Sequence, residues 1–372
     1  APQRAGRTAP SPVGGVGVPV NAPAERSIGG DDLARTCGED LPWERLEGRT
    51  VLVSGASGFL AAYMVEVMLH LNRTVLRRPV RVIAMVRDAG RAEARFAAYA
   101  DRPELRIVVH DVCLPLELTE SVDYVVHAAS QTSPLCYGID PVATLGANLF
   151  GTHHLLELAR ANGATGFLFF SSSEVYGQVE SSAMPVAEDT YGFLDPLSIR
   201  SCYAESKRVG ETMCASWHHQ HGVPVTIVRP FHTYGPGMRL DDGRAHADFV
   251  TDIVAGRNVI VRSDGQAARS FCYIADAAAG FFTVLLKGQA GHAYNVGDEE
   301  GELTMLELAK MLVDLSPSSG VHVDLQERPD GNGYLRSPVT RCCPNTAKLR
   351  ALGWAPRVSL ADGFSRTLRS FE

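Results

Sequence analysis

Apolar residues in this chain gather in short continuous runs rather than in alternation with polar ones. Residues 49–54, 80–86, 105–109, 122–127, 167–170 and 225–228 are such runs, and each reads as a strand buried on both faces. Residues 59–71, 89–100, 141–162 and 203–221 instead repeat their apolar positions at helical spacing. Strands buried on both sides and alternating with helices predict a mostly parallel sheet covered by two helical layers. The expected class is therefore α/β, a Rossmann-like doubly wound sheet.

Beyond Arg229 the pattern loosens into Gly- and Pro-rich loops, with helices expected over 247–255, 276–286, 304–315 and 360–371 and a strand near Val259. This predicts a smaller C-terminal substrate-binding lobe. The expected division is an N-terminal arm over 1–48 and a dinucleotide-binding domain over 49–230, to which 271–300 returns. A nucleotide-sugar-binding lobe then takes 231–270 and 301–372. The first 26 residues are rich in Pro, Gly and Ala with little to bury, so disorder is expected there unless a partner orders them. From Asp31 a short helix is expected, with Leu41, Pro42 and Trp43 as an apolar anchor.

Composition narrows the partners. The 372 residues are 45% apolar with a formal charge of −7 and no sustained Lys/Arg block, which argues against nucleic acid or an anionic membrane. No apolar run is long enough to span a bilayer and no secretory leader is evident, so a cytoplasmic location is expected. The 8 cysteines fit neither a zinc knuckle nor a disulfide scaffold; free thiols and no metal are the expectation.

The turn between the first strand and helix reads Gly55-Ala-Ser57-Gly58-Phe59-Leu60-Ala61. Glycine there permits a tight turn and brings backbone amides of a helix N-terminus against a pyrophosphate. Ala61 stands where a third glycine would allow the closest packing. The second strand ends in Arg87-Asp88: a carboxylate would hold the adenine ribose of NAD, an arginine the 2′-phosphate of NADP, and both cofactors stay open. Asp111 and Val112 follow a strand and can meet the adenine. Ala128, Ala129 and Ser130 follow His127 with small side chains that leave room for the nicotinamide ribose.

Tyr203 and Lys207 are four apart on an expected helix and share a face. A phenol is a poor base at neutral pH unless nearby positive charge favours its ionised form, and an adjacent ammonium provides that. Ser171, Ser172, Ser173 and Glu174 leave an apolar strand at its carboxyl end, where open sheets place ligands. Ser172 can hold the hydroxyl to be oxidised, with Ser173 and Glu174 reaching farther along the substrate. Arg269, expected in a loop before residues 271–274, can grip an anionic oxygen bidentately.

Ser-Glu-Val-Tyr-Gly at Ser173–Gly177, Arg-Ser-Cys-Tyr at Arg200–Tyr203, Tyr234-Gly-Pro236, Asp242-Gly-Arg244, Arg269-Ser-Phe271 and Leu352-Gly-Trp354 resemble the extended short-chain dehydrogenase/reductase family. The likeness runs from about Arg49 to Glu372 and is to its nucleotide-sugar epimerases, dehydratases and decarboxylases. It implies a Ser-Tyr-Lys set at Ser172, Tyr203 and Lys207, and decarboxylase positions at Ser173, Glu174 and Arg269. Related dehydratases carry Asp at the position of Ser173, and this difference tips the resemblance toward decarboxylation of a UDP-hexuronate such as UDP-glucuronate, giving UDP-xylose. Dehydration, 4-epimerisation and non-catalytic nucleotide-sugar binding are the alternatives. The resemblance also implies a tightly bound, recycled NAD or NADP and a homodimer built on helices around 148–160 and 203–219. It further implies substrate contacts from Ser130, His232, Arg244 and Arg269. His232 stands where family members often have Asn.

Overall fold

The computed structural model describes residues 29–317, 320–326 and 339–372. Of the expected arm, residues 1–28 lie outside the described residues. Its remainder is stitched to the core: α1 (Gly30–Cys37) and a short turn at Trp43–Leu46 bury Leu33, Cys37, Trp43 and Leu46. The Trp43 ring meets Phe282 edge-on at 5.2 Å.

The chain then runs through β1 (Thr50–Ser54), α2 (Phe59–Thr74), β2 (Arg81–Val86), α3 (Ala89–Arg95), β3 (Leu105–Val109) and β4 (Tyr124–His127). It continues with α4 (Pro134–Ile139), α5 (Pro141–Asn162), β5 (Gly166–Phe170), α6 (Cys202–His221) and β6 (Val225–Pro230). Next come β7 (His232–Tyr234), α7 (Ala245–Val254), β8 (Val259–Val261), β9 (Ala268–Tyr273), α8 (Ile274–Lys287) and β10 (His292–Val296). The last elements are β11 (Glu302–Thr304), α9 (Met305–Asp314), β12 (Val323–Leu325), β13 (Arg341–Cys342), α10 (Ala347–Arg350) and α11 (Leu360–Arg369).

Seven strands form one sheet in the order β10-β6-β5-β4-β1-β2-β3, every pair parallel. Each residue of β1 and of β5 is buried, as strands covered on both faces require. Burying a Val, Leu or Phe side chain contributes roughly 1.5–3 kcal/mol, and Val51, Leu52, Val53, Phe167, Leu168 and Phe169 are all fully enclosed. The order reverses between β1 and β4, which opens a crevice at the carboxyl ends of those strands.

The second lobe is built on β9. It pairs in parallel with β7 and β13 and antiparallel with β11, while β8 and β12 form a separate parallel pair. The Phe364 ring of α11 stacks on Tyr234 at 3.8 Å and fastens the C-terminal helix to β7. One expected helix is shorter than its pattern: α3 stops at Arg95 because Phe96 turns into the core, 1% exposed, and residues 97–99 form a tight separate turn.

Candidate active site

The β1–α2 turn is shaped for close backbone approach. Gly55 has φ +65°, and a Cβ there would lie 2.7 Å from the Ala129 Cα, so no side chain fits. Gly58 precedes α2 without any side-chain cap, leaving first-turn amides for an anion. Gly55, Gly58, Phe59, Leu60 and Ala128 line a cavity of about 1330 Å³ that reaches across to the second lobe. Behind the turn, Ser54 Oγ accepts from the Ala128 and Ala129 amides at 3.2 Å each and bonds His127 Nδ1 at 2.8 Å. Burial first, then the Lys207 charge, push His127 down to about 3, so it is a neutral latch between β1 and β4. Ser130 Oγ is buried, lines the same cavity, and has no hydrogen-bond partner among the described residues. A ribose or nicotinamide hydroxyl or amide would satisfy it, and the unfilled helix cap suits a pyrophosphate, so these residues fit a dinucleotide.

β5 and α6 bring Ser172, Ser173, Glu174, Tyr203 and Lys207 to one wall of the cavity. Tyr203 and Lys207 are both buried. The Lys207 ammonium donates to the Phe170 carbonyl at 2.6 Å and lies 5.8 Å from the Tyr203 ring centroid. Burial pulls Lys207 down to about 7, against the opposing charge of Glu211. Burial likewise pushes the Tyr203 phenol up to about 12; the Ser172 hydrogen bond opposes this most, followed by the Arg244 charge. Within the protein alone, the cations that favour the phenolate are therefore Arg244 and Arg200, and the Lys207 ammonium is turned toward β5.

Sequence reasoning missed two residues of this wall. Arg200 bonds the Glu174 carboxylate at 2.9 Å, and its guanidinium sits 5.0 Å over the Tyr137 ring. Tyr137 in turn stacks on Tyr203 at 5.2 Å with 13° between ring planes. The available signal for Arg200 was its place three residues before Tyr203; nothing local marks Tyr137.

The opposite wall comes from the second lobe. His232 and His246 are neutral neighbours 6.2 Å apart, both pushed down mainly by burial, and His232 Nδ1 is buried with no hydrogen-bond partner among the described residues. Arg244 pairs with Asp242 at 2.9 Å and donates to Thr132 Oγ1 at 3.2 Å. Arg269 is not in a loop as expected: it lies within β9, opposite Leu303 and Cys342. Its guanidinium donates to the carbonyls of Ala268, Val339 and Thr340, which ties down the segment leading into β13 while leaving its charge in the cavity wall. Cys342 lines the cavity beside Ser173, its thiol pushed up to about 11 by burial and thus unreactive.

The remaining cofactor candidates lie outside the cavity lining. Ser57 is in the turn, and the Ala129 amide is spent on Ser54. Arg87 is exposed after β2, and Asp88 caps α3 through the Arg91 amide at 3.0 Å. Asp111 accepts the Cys113 amide at 2.9 Å, and Val112 packs against Gly151 of α5.

A parallel sheet with a glycine turn at its order reversal, facing a polar cavity closed by a second lobe, is the arrangement of a dinucleotide-dependent enzyme. The chain belongs to the NAD-dependent epimerase/dehydratase family, whose model matches residues 51–297. UDP-glucuronic acid decarboxylase 5 of Arabidopsis thaliana is 34% identical over 314 residues, covering 84% of this chain and 86% of the relative. UDP-glucuronic acid decarboxylase 1 of Xenopus tropicalis is 32% identical, covering 87% of this chain and 72% of the relative. The fold is shared with a Bacillus cereus UDP-glucuronic acid 4-epimerase solved with UDP-glucuronic acid and NAD, at TM-score 0.72 and 22% identity over 87% of this chain and 98% of that one. A dTDP-glucose 4,6-dehydratase from Streptomyces venezuelae, solved with NAD, aligns at TM-score 0.70 and 27% identity over 87% of this chain and 96% of that one.

Proposed function

We propose that this chain is an NAD(P)-dependent nucleotide-sugar decarboxylase that converts a UDP-hexuronate, UDP-glucuronate first among them, to the UDP-pentose through a 4-keto intermediate. The observation that carries the reading is Ser173 beside Glu174 at the carboxyl end of β5, on a chain 34% identical to a UDP-glucuronic acid decarboxylase. The first-turn amides of α2 hold the dinucleotide diphosphate, and Ser130 and Lys207 hold the nicotinamide ribose. When bound, NAD supplies a hydride acceptor for C4 and afterwards the donor that restores it.

Tyr203 takes the C4 hydroxyl proton, with Ser172 orienting that hydroxyl. The C4 ketone lies beta to the carboxylate, so the electrons of the C5–carboxylate bond pass into it as carbon dioxide leaves. A solvent proton is then relayed to C5 from the Ser173–Glu174 side, replacing the lost carboxylate, and Tyr203 returns its proton to the C4 oxygen as C4 is reduced. Arg269 and Arg244 supply positive charge along the cavity wall that favours an anionic ligand. C4 leaves in the oxidation state in which it entered, so turnover would consume no external oxidant or reductant.

We further assign the chain to a homodimer, supported by Val142 and Phe150 of α5 and Val209 of α6, which are apolar and exposed. The eight free thiols, six of them buried, support the reducing cytoplasm as its location. Among the described residues no helix is long and apolar enough to cross a membrane.

Incubation with UDP-glucuronate tests the assignment: carbon dioxide and UDP-xylose are expected in equal amounts. Unchanged UDP-glucuronate under conditions in which UDP-glucose or dTDP-glucose is turned over rejects it in favour of epimerisation or dehydration. Mass analysis of small molecules released on denaturation identifies the retained nicotinamide as NAD or NADP.

A further inference from the structure

The family motif gave Arg200 no role, yet its side chain bridges Glu174 and the ring that lies against Tyr203. It is 12% exposed and stands in the tight turn that leads into α6, between Glu174 on the β5 side and Tyr137 on α4. One nitrogen bonds Glu174 Oε1 at 2.9 Å. The guanidinium carbon lies over the Tyr137 ring at 5.0 Å, and that ring is stacked on Tyr203 at 5.2 Å. Tyr137 is itself fixed, buried and donating its hydroxyl to the Thr132 carbonyl at 2.9 Å. Arg200, Tyr137 and Tyr203 therefore form a stack, with Glu174 ion-paired at its Arg200 end, and all four line the cavity.

We propose that Arg200 is a positioning residue that couples Glu174 to the base Tyr203, holding the Glu174 carboxylate in one orientation while its own charge, acting across the Tyr137 ring, favours the ionised phenol. The roles of Glu174 and Tyr203 rest on the function proposed above. The groups facing Tyr203 are Ser172 and Glu174 from the β5 side, Arg200 and Lys207 from the α6 side, Tyr137 from α4 and Arg244 from the start of α7. Of these, Glu174 opposes the phenolate, and Arg200 and Arg244 favour it. Arg200 neutralises the one group that works against the base and adds a cation of its own. An anion left unpaired at this distance acts on a buried phenol with little screening, so both consequences of losing Arg200 push in the same direction.

The test is the pH dependence of kcat for UDP-glucuronate in wild type, Arg200→Gln, Arg200→Lys and Glu174→Gln. The midpoint of the acidic limb, where Tyr203 must lose its proton, moves up by about one pH unit in Arg200→Gln. It moves down in Glu174→Gln and stays within a few tenths in Arg200→Lys. A loss of kcat in Arg200→Gln with the midpoint unmoved reduces Arg200 to a structural brace and overturns the coupling. If Arg200→Gln does not fold, the Glu174→Gln shift decides alone, and its absence overturns the coupling too. If wild type leaves UDP-glucuronate unchanged, the functional reading fails rather than this one. The same midpoints are then read from ultraviolet tyrosinate absorbance of each variant, with the matching Tyr203→Phe protein subtracted.

Discussion

At the scale of single residues, burial acts oppositely on the two groups that share one face of α6. Lys207 is pulled to about 7, where its charge is unsettled, while the Tyr203 phenol is pushed up to about 12 and stays protonated in the protein alone, so a bound cation is needed to favour its ionised form. Replacing Tyr203 by Phe removes the proposed proton acceptor and keeps the ring against Tyr137. Turnover is expected to fall by about 10²–10⁴-fold, with UDP affinity by calorimetry changed less than twofold. Undiminished turnover would remove Tyr203 as the base. Tyr203, Lys207, Gly55 and Gly58 were legible in the sequence because their meaning lies in short spacings on one helix or one turn. Tyr137 and the Arg200–Glu174 pair were not, since each contact joins elements whose approach is set by the whole sheet. Arg269 was misplaced for a related reason: β9 looks like a loop locally, and only pairing with β11 and β13 makes it a strand.

At the scale of elements, the site depends on how closely α6 lies on β5. Tyr203, Lys207 and Gly210 share one face of α6, and a Cβ on Gly210 would stand 2.4 Å from the Phe169 ring. Gly210→Ala must push the helix off the strand that carries Ser172. A cost of about 1–3 kcal/mol in urea denaturation is expected, together with a fall in kcat; a variant as stable and active as wild type would show that this approach is not tight. A second element pair carries a pH signature. Glu66 of α2 is buried against Arg95 of α3 at 3.3 Å, and burial raises it to about 7 despite that arginine. A carboxyl raised on folding binds its proton more tightly in the native state, so its contribution is full below the unfolded value near 4.5 and is lost as pH climbs toward 7. The stability of wild type minus that of Glu66→Gln is therefore expected to fall by on the order of 3 kcal/mol between those limits, measured by urea melts at several pH values. A flat difference would mean that Glu66 keeps its ordinary acidity. The long strands and helices were readable because their periods repeat several times. β7, β11, β12 and β13 were not, because two or three residues carry no period.

At the scale of the molecule, the outer faces of α5 and α6 present an apolar surface that none of the described residues covers. Val142 and Phe150 are 75% and 59% exposed and eight residues apart on α5, so they form one stripe with Gly146 between them, and Val209 stands on the neighbouring helix at 44%. A second copy meeting this face would produce a four-helix contact, and a stable dimer needs roughly 800 Å² from each partner, which two helices of this length can supply. A carboxylate at the centre of such a contact loses its hydration without gaining a partner. Wild type is accordingly expected to show twice the chain mass by light scattering, and Phe150→Glu to show the single-chain mass with an unchanged circular dichroism spectrum. Because Val209 and the Tyr203–Lys207 face lie on different sides of α6, the separated chains should still retain their nicotinamide. Wild type running as a single chain at micromolar concentration would assign this apolar stripe to some other partner and leave the catalytic cavity the property of one subunit.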